Sequence, residues 1–161
     1  MKRDYLIIGG SAAGMAAAQA IREKDPLGSI TVLSEEPDMP YFRPMIPYVV
    51  NGKKKAESIG LSGNGPYQGA GIEVQTGSRV DSVDTSRRSV RISGRDPLSP
   101  ISYNKLLLAT GSSPYIPPEL KGTNAEGIFA LRKLSDARAM AQRAQGTAHA
   151  VMLGGGLLNL K

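Results

Sequence analysis

A glycine-rich turn, a pair of acids and one arginine carry most of the chemistry available to this sequence. Gly9-Gly10-Ser11-Ala12-Ala13-Gly14 follows a short apolar run, and Glu35 stands 21 residues beyond Gly14 with Glu36 beside it. Arg43 is the sole charge in the second half of the proline-rich stretch that comes next. A turn that opens a helix presents backbone N–H groups without intrahelical partners, and the helix dipole adds positive character, so it suits a pyrophosphate. Carboxylates at the end of the next strand can accept hydrogen bonds from ribose hydroxyls. An arginine in the following loop can bond phosphate or ribose oxygens bidentately, or simply face solvent.

Such a turn needs a strand before it and a helix after it. Tyr5-Leu6-Ile7-Ile8 suits a buried parallel strand. Ala12 to Arg22 is rich in helix formers, with Gly14 the only breaker; Pro26 and Gly28 end the helix, and Ile30 to Ser34 is a second strand that delivers the acids. Gly9 permits the sharp exit from the strand. Gly10 and Ser11 let the backbone approach phosphate. Gly14, with the small residues Ala13, Ala16 and Ala17, lets the helix lie close to the sheet. The middle glycine of the common Gly-x-Gly-x-x-Gly pattern is Ser11 here. The competing reading is a glycine turn that only packs a helix; strand, helix and acids in this order favour a nucleotide.

Length and composition bound the rest. The 161 residues suffice for a domain with a sizeable core, and 40% apolar with 21% charged residues is ordinary for a soluble globular protein. Without cysteine there is no disulfide, thiolate nucleophile or redox dithiol. No apolar stretch reaches about 20 residues, and the N-terminus runs directly into a strand, so neither a membrane span nor a signal peptide is predicted and a cytoplasmic location is the default. The net charge of +6 gathers at Lys53-Lys54-Lys55 and Arg87-Arg88. Both runs fall in predicted loops without interleaved aromatics, so they read as solvated charge and not as a nucleic-acid surface.

Further along, Pro37 to Tyr48 carries four prolines, which forbid a long helix or central strand and predict a stiffened loop. Val49 to Ile59 reads as a surface connection, Gly60 to Gly71 as a glycine-rich loop, and Gly71 to Gln75 as a short strand. Arg79 to Val83 and Ser89 to Ser93, joined by a turn over Asp84 to Arg88, predict a hairpin, which Ile101 to Tyr103 extends to a meander over about 78–103. Lys105 to Leu108 is a buried strand leaving the sheet through Ala109-Thr110-Gly111. A strand's carboxyl end in a parallel sheet is where ligands sit, so Thr110-Gly111 is a candidate wall, or else an ordinary strand exit. Ile128 to Leu131 suggests another strand, and Leu134 to Ala144 a helix with Ser135 as its N-cap. His149, the only histidine, opens a last strand, Ala148 to Leu153, and reads as structural. Gly154-Gly155-Gly156 then begins a second glycine turn, with Asn159 where a third glycine would stand. The chain stops at Lys161 inside this motif, so a fragment of a longer protein is expected.

Taken together, the two glycine fingerprints, the Tyr41-Phe42-Arg43-Pro44 loop, the meander and the Ala109-Thr110-Gly111 exit resemble the FAD-dependent pyridine nucleotide-disulfide oxidoreductase superfamily. The stretch from Ser34 to Pro44 is most similar to the branch containing nitrite reductase large subunits, rubredoxin and ferredoxin reductases and apoptosis-inducing factor; the first glycine turn is also similar to that of NADH oxidases. The resemblance implies an α/β Rossmann-like FAD-binding domain, its parallel sheet carrying an inserted antiparallel meander, truncated here. Residues 1–118 would be the first part of that domain, and 119–161 a linker and the start of an NAD(P)-binding domain. It further implies that Gly9, Gly10, Ser11, Ala12, Ala13 and Gly14 line the FAD pyrophosphate and that Glu35 or Glu36 meets the adenosine ribose. Arg43 would contact the flavin, the backbone of Val80 the adenine, and Ala109, Thr110 and Gly111 would flank the cofactor. Gly154 and Gly156 would belong to an NADH or NADPH site, although Asn159 and Lys161 depart from the common Gly and Glu.

The redox cysteine of the disulfide reductases would fall near Pro44 and is missing. The resemblance therefore implies an electron-transfer flavoprotein, in which NAD(P)H reduces FAD and the electrons pass to a protein or small-molecule acceptor, with the fragment inactive alone. The alternative is a non-catalytic nucleotide-binding or protein-interaction module. A terminal strand without its neighbours could stay unpaired, fill a gap in the sheet or pair with another copy, so a homo-oligomer is among the expected partners.

Overall fold

The computed structural model describes residues 2–61, 70–96, 99–147 and 149–154. The chain forms two compact units, residues 1–41 with 60–111 and residues 42–59 with 112–161.

The first unit is a six-stranded mixed sheet: β1 (Lys2–Ile8), β2 (Ile30–Leu33), β3 (Ile72–Gln75), β4 (Val80–Asp84), β5 (Ser89–Ile92) and β6 (Ile101–Leu108), with helix α1 (Ala12–Lys24) after β1. The strand order is β3-β2-β1-β6-β5-β4. β3, β2, β1 and β6 run parallel, whereas β4, β5 and the start of β6 form the antiparallel meander. β1 lies inside the sheet between β2 and β6, and its second half, Leu6 to Ile8, is buried on both faces, which is why the strand turns apolar from Tyr5 onward. Leu6 and Ile8 pack with Leu33, Val90, Ile92 and Tyr103 on one side. Ile7 packs with Ile30, Val32, Met15 and Ala18 on the other, where α1 lies. The register aligns Ile8 with both Leu33 and Leu108, and Leu33 with Gln75. The residues that follow each parallel strand therefore leave from one edge of the sheet.

The second unit is helical. A 3-10 turn at Arg43–Met45 leads into α2 (Ile46–Val50), and a second 3-10 turn covers Ala56–Ile59. The prolines are tolerated because Pro44 and Pro47 occupy first-turn positions, where no intrahelical N–H donor is required. α3 (Leu134–Ala144) packs on α2. Ile46, Pro47, Val49, Ile59, Leu134 and Ala137 are buried apolar side chains of this unit.

Several expectations are corrected. Val49 to Ile59 is not merely a surface connection, since Val49 and Ile59 are core residues. Ile101 to Tyr103 and Lys105 to Leu108 are one strand, and Leu107 and Leu108 are 38% and 62% exposed instead of buried. Among the described residues β5 pairs only with the first two residues of β6, so the far half of β6 lacks cover on that side. Ile128 to Leu131 is not a strand, and residues 149–153 form no regular structure, with Val151, Met152 and Leu153 exposed. A strand requires a ladder of backbone bonds to a neighbouring strand, and neither segment joins the sheet among the described residues. Ala148 itself, most of the Gly60–Gly71 loop and the end of the second glycine turn lie outside the described residues.

Candidate functional site

The glycine turn is shaped by close approach. Gly9 has φ +119°, and a Cβ on it would collide with the Ala109 carbonyl. A Cβ on Gly14 would collide with the Gly9 carbonyl, and one on Gly10 would sit 3.0 Å from Ser34 Cβ. The turn thus runs flush against the exits of the strands on either side. Backbone bonds fix it there: Gly9 N donates to Leu33 O at 2.8 Å, Ala109 N to Ile8 O at 2.8 Å, and Met15 N to Ser11 O at 2.9 Å.

Ser11 is the N-cap residue of α1, yet its side chain makes no capping bond, and the first turn holds no acid. Ala12 and Ala13 are exposed there. The result is a helix start with no acid in its first turn and only small residues forming it, an arrangement that suits an anionic group.

Glu35 and Glu36 follow β2 at the same edge. Ser34 N donates to Gln75 O at 2.9 Å, Ser78 N to Ser34 O at 2.7 Å, and Gly77 N to Glu36 O at 2.9 Å. These bonds anchor the acidic stretch to the segment between β3 and β4. Glu35 Oε1 pairs with Arg79 Nη1 at 3.1 Å, and both side chains are more than half exposed. Glu36 Oε2 accepts the Tyr41 hydroxyl at 2.6 Å. Val80 opens β4 next to Arg79 and packs on the Leu6–Tyr103 core cluster. Thr110 and Gly111 are exposed, and Gly111 has φ +71°, the left-handed geometry a side chain would resist. The first unit therefore gathers Gly9 to Gly14, Glu35, Glu36 and Ala109 to Gly111 at the carboxyl ends of its parallel strands.

Arg43 belongs to the second unit, where Nη1 donates to the carbonyl of Arg132, 89 residues away, at 2.8 Å. Arg132 Nε in turn donates to Ser112 O at 3.1 Å. Arg43 and Arg132 are thus brought together, and nothing in the local spacing around Arg132 announces it. Nor does the sequence signal the roles of Arg79 and Tyr41, whose partners lie on other segments. Gly154 is exposed with φ +104°; Gly156 lies outside the described residues. Among those residues no His, Cys, Asp and Glu group could hold a metal, and no helix is long and apolar enough to cross a membrane. The α3 start is capped by Asp136, whose Oδ2 accepts the N–H groups of Arg132 at 2.9 Å and Lys133 at 2.6 Å, in place of the expected Ser135.

A family model described as pyridine nucleotide-disulphide oxidoreductase matches residues 3–160. The chain is 33% identical over its whole length to an assimilatory nitrate reductase electron transfer subunit of Bacillus subtilis, of which it covers 21%. It is 30% identical, over 97% of its length, to an NADH-rubredoxin oxidoreductase of Clostridium acetobutylicum, of which it covers 39%. The crystal structure of the NADH:rubredoxin oxidoreductase from that organism superposes with a TM-score of 0.83 at 28% identity, covering 98% of this chain and 40% of that one. Each of these relatives is more than twice as long as the chain.

Proposed function

Because the chain belongs to the pyridine nucleotide-disulphide oxidoreductase family, we propose that it is the FAD-binding portion of a flavoprotein that passes electrons from NAD(P)H through FAD to an acceptor. The observation that carries this reading is the cradle at the start of α1, where Gly9 and Gly14 leave no room for a Cβ, Gly10 leaves little, and the helix start carries no acid. The glycines let the turn pack against the strand exits, and the acid-free helix start that this packing presents suits a pyrophosphate. Gly9 to Gly14 would hold the pyrophosphate, Glu35 or Glu36 the adenosine ribose, Val80 the adenine through its backbone, and Ala109 to Gly111 would flank the cofactor. Arg43 would meet the flavin, with its guanidinium steadied by the Arg132 carbonyl.

When bound, the flavin supplies the chemistry, accepting hydride and releasing electrons. The chain's own residues bind and orient it. With no cysteine in the sequence, no disulfide relay stands between flavin and acceptor on this stretch. The relatives named for nitrate reductase and rubredoxin favour a protein acceptor. Residues 1–118 would be the first part of the FAD domain and 119–161 a linker with the start of an NAD(P) domain, to which Gly154 and Gly156 would belong. A cytoplasmic location goes with this reading.

Addition of FAD to the purified chain is expected to give saturable binding with the absorption spectrum of a protein-bound flavin, and no NAD(P)H turnover. A chain that leaves FAD in the filtrate would defeat the reading for this portion, and steady turnover would defeat the claim that it is inactive alone.

A further inference from the structure

The two acids that follow β2 are held by different means. Glu35 pairs with the exposed guanidinium of Arg79, and that guanidinium also lies 3.8 Å from Asp81. An exposed pair of this kind is loosely held, because water and salt screen it. Glu36 instead accepts the hydroxyl of Tyr41 at 2.6 Å, a length typical of a charge-assisted O–H···O⁻ bond. Tyr41 is only 6% exposed, whereas its neighbour Phe42 is 50% exposed. The loop buries the ring with the polar tip and leaves the apolar one in solvent. Its backbone is fixed as well: Tyr41 bridges to Gly60, and Pro40 O accepts Leu61 N at 2.7 Å.

We propose that Tyr41 is a positioning residue of the nucleotide site, holding the Glu36 carboxylate for the two hydroxyls of an adenosine ribose. The inference rests on the nucleotide-binding reading above and adds to it which acid is held in place and by what. An ionised carboxylate accepts up to about four hydrogen bonds, so a fixed phenol donor is compatible with a ribose hydroxyl on the same group. The Glu36 backbone is tied independently through Gly77. The phenol therefore sets the direction of the side chain and not the path of the loop.

The test uses the whole chain and compares ADP with its 2′,3′-dideoxy counterpart by calorimetry, alongside FAD. Wild type is expected to prefer ADP. Tyr41→Phe keeps the buried ring and removes only the hydroxyl; it should lower that preference by about fivefold, the order of one hydrogen bond, and leave dideoxy-ADP binding unchanged. Glu36→Gln should lose the same preference, and adding Tyr41→Phe to it should cost nothing more. An unchanged preference in Tyr41→Phe, with FAD still bound, overturns the inference while the function stands. Equal losses for both nucleotides overturn it too, since they mark a merely structural tyrosine. A wild type that binds neither FAD nor ADP removes the function and the inference with it.

Discussion

The two longest helices among the described residues, α1 and α3, have starts finished in opposite ways. At α3, Asp136 accepts two backbone N–H groups preceding the helix, so its own carboxylate closes the end. At α1, the first turn has no acid, the N-cap side chain makes no capping bond, and the residues in front are Gly, Ser and Ala. A capping bond is worth about 1 kcal/mol, so leaving it out of a helix packed in the core carries a cost to stability. The contrast teaches that a helix dipole alone does not make an anion site. A site needs a start that the chain has left open and a backbone that a ligand can approach.

The largest test of that difference falls on Gly14. A Cβ there would meet the Gly9 carbonyl, a backbone atom that cannot swing aside. Gly14→Ala is expected to cost about 3 kcal/mol in urea denaturation, the upper end of the usual range for overpacking, and to abolish nucleotide binding. Gly122→Ala is the control in the second unit. Its φ is +78° and a methyl added there would find nothing within 4 Å, so only the backbone strain of about 1 kcal/mol remains. Similar losses in the two variants would mean that close approach is not what shapes the turn.

The next test exchanges the two finishes. Ala13→Asp places a carboxylate in the open first turn of α1, and Asp136→Ala removes the one at α3. The first should raise the stability of the ligand-free chain by about 0.3–1 kcal/mol and weaken FAD binding at least about tenfold, because its charge competes with phosphate. The second should lower stability by about 1 kcal/mol and leave FAD affinity unchanged. Should Ala13→Asp bind FAD as well as wild type, the α1 start is not where the pyrophosphate lies.

How much of this can be read from residues alone follows the same division. The strand-turn-helix-strand unit from β1 to β2 is local, and its signals agree with one another: a continuous apolar run, small residues in the turn, helix formers, then β-branched residues. That agreement is what makes its strands, helix and turn predictable. The second unit joins residues 42–59 to 112–161. Its defining bond, Arg43 to the Arg132 carbonyl, spans 89 residues and leaves no periodic trace. Serine is a favoured N-cap, which points to Ser135 at α3, but the structure uses a carboxylate reaching back from inside the first turn. The strands expected near Ile128 and after Ala148 are missing among the described residues for a different reason: apolar runs predict β structure only where a partner strand exists to accept their backbone bonds.

The smallest expected effect lies at the other end of α1, which is tied as firmly as its start is open. Arg22 donates to the carbonyls of Asp25 and Pro26 and across to Ala70 and Gly71. The Asp25 carboxylate accepts Gly28 N at 2.8 Å, the Tyr5 hydroxyl at 3.0 Å and Leu27 N at 3.2 Å. These bonds, Gly28 first, hold its pKa below the ordinary carboxylate value, and the hydroxyl bond to Asp25 raises that of Tyr5. A carboxylate whose folded pKa is depressed adds stability that is complete above its unfolded value of about 3.9 and is lost as pH falls through the folded one. Stability measured between pH 6 and pH 2, on the order of the range where carboxylates titrate, should therefore decline more steeply in wild type than in Asp25→Asn, with the curves converging at the acid end. The separation should be small, because solvent reaches the group and screens it. Parallel curves would show that the turn after α1 is held by Arg22 and by packing, and that the Asp25 charge contributes nothing to it.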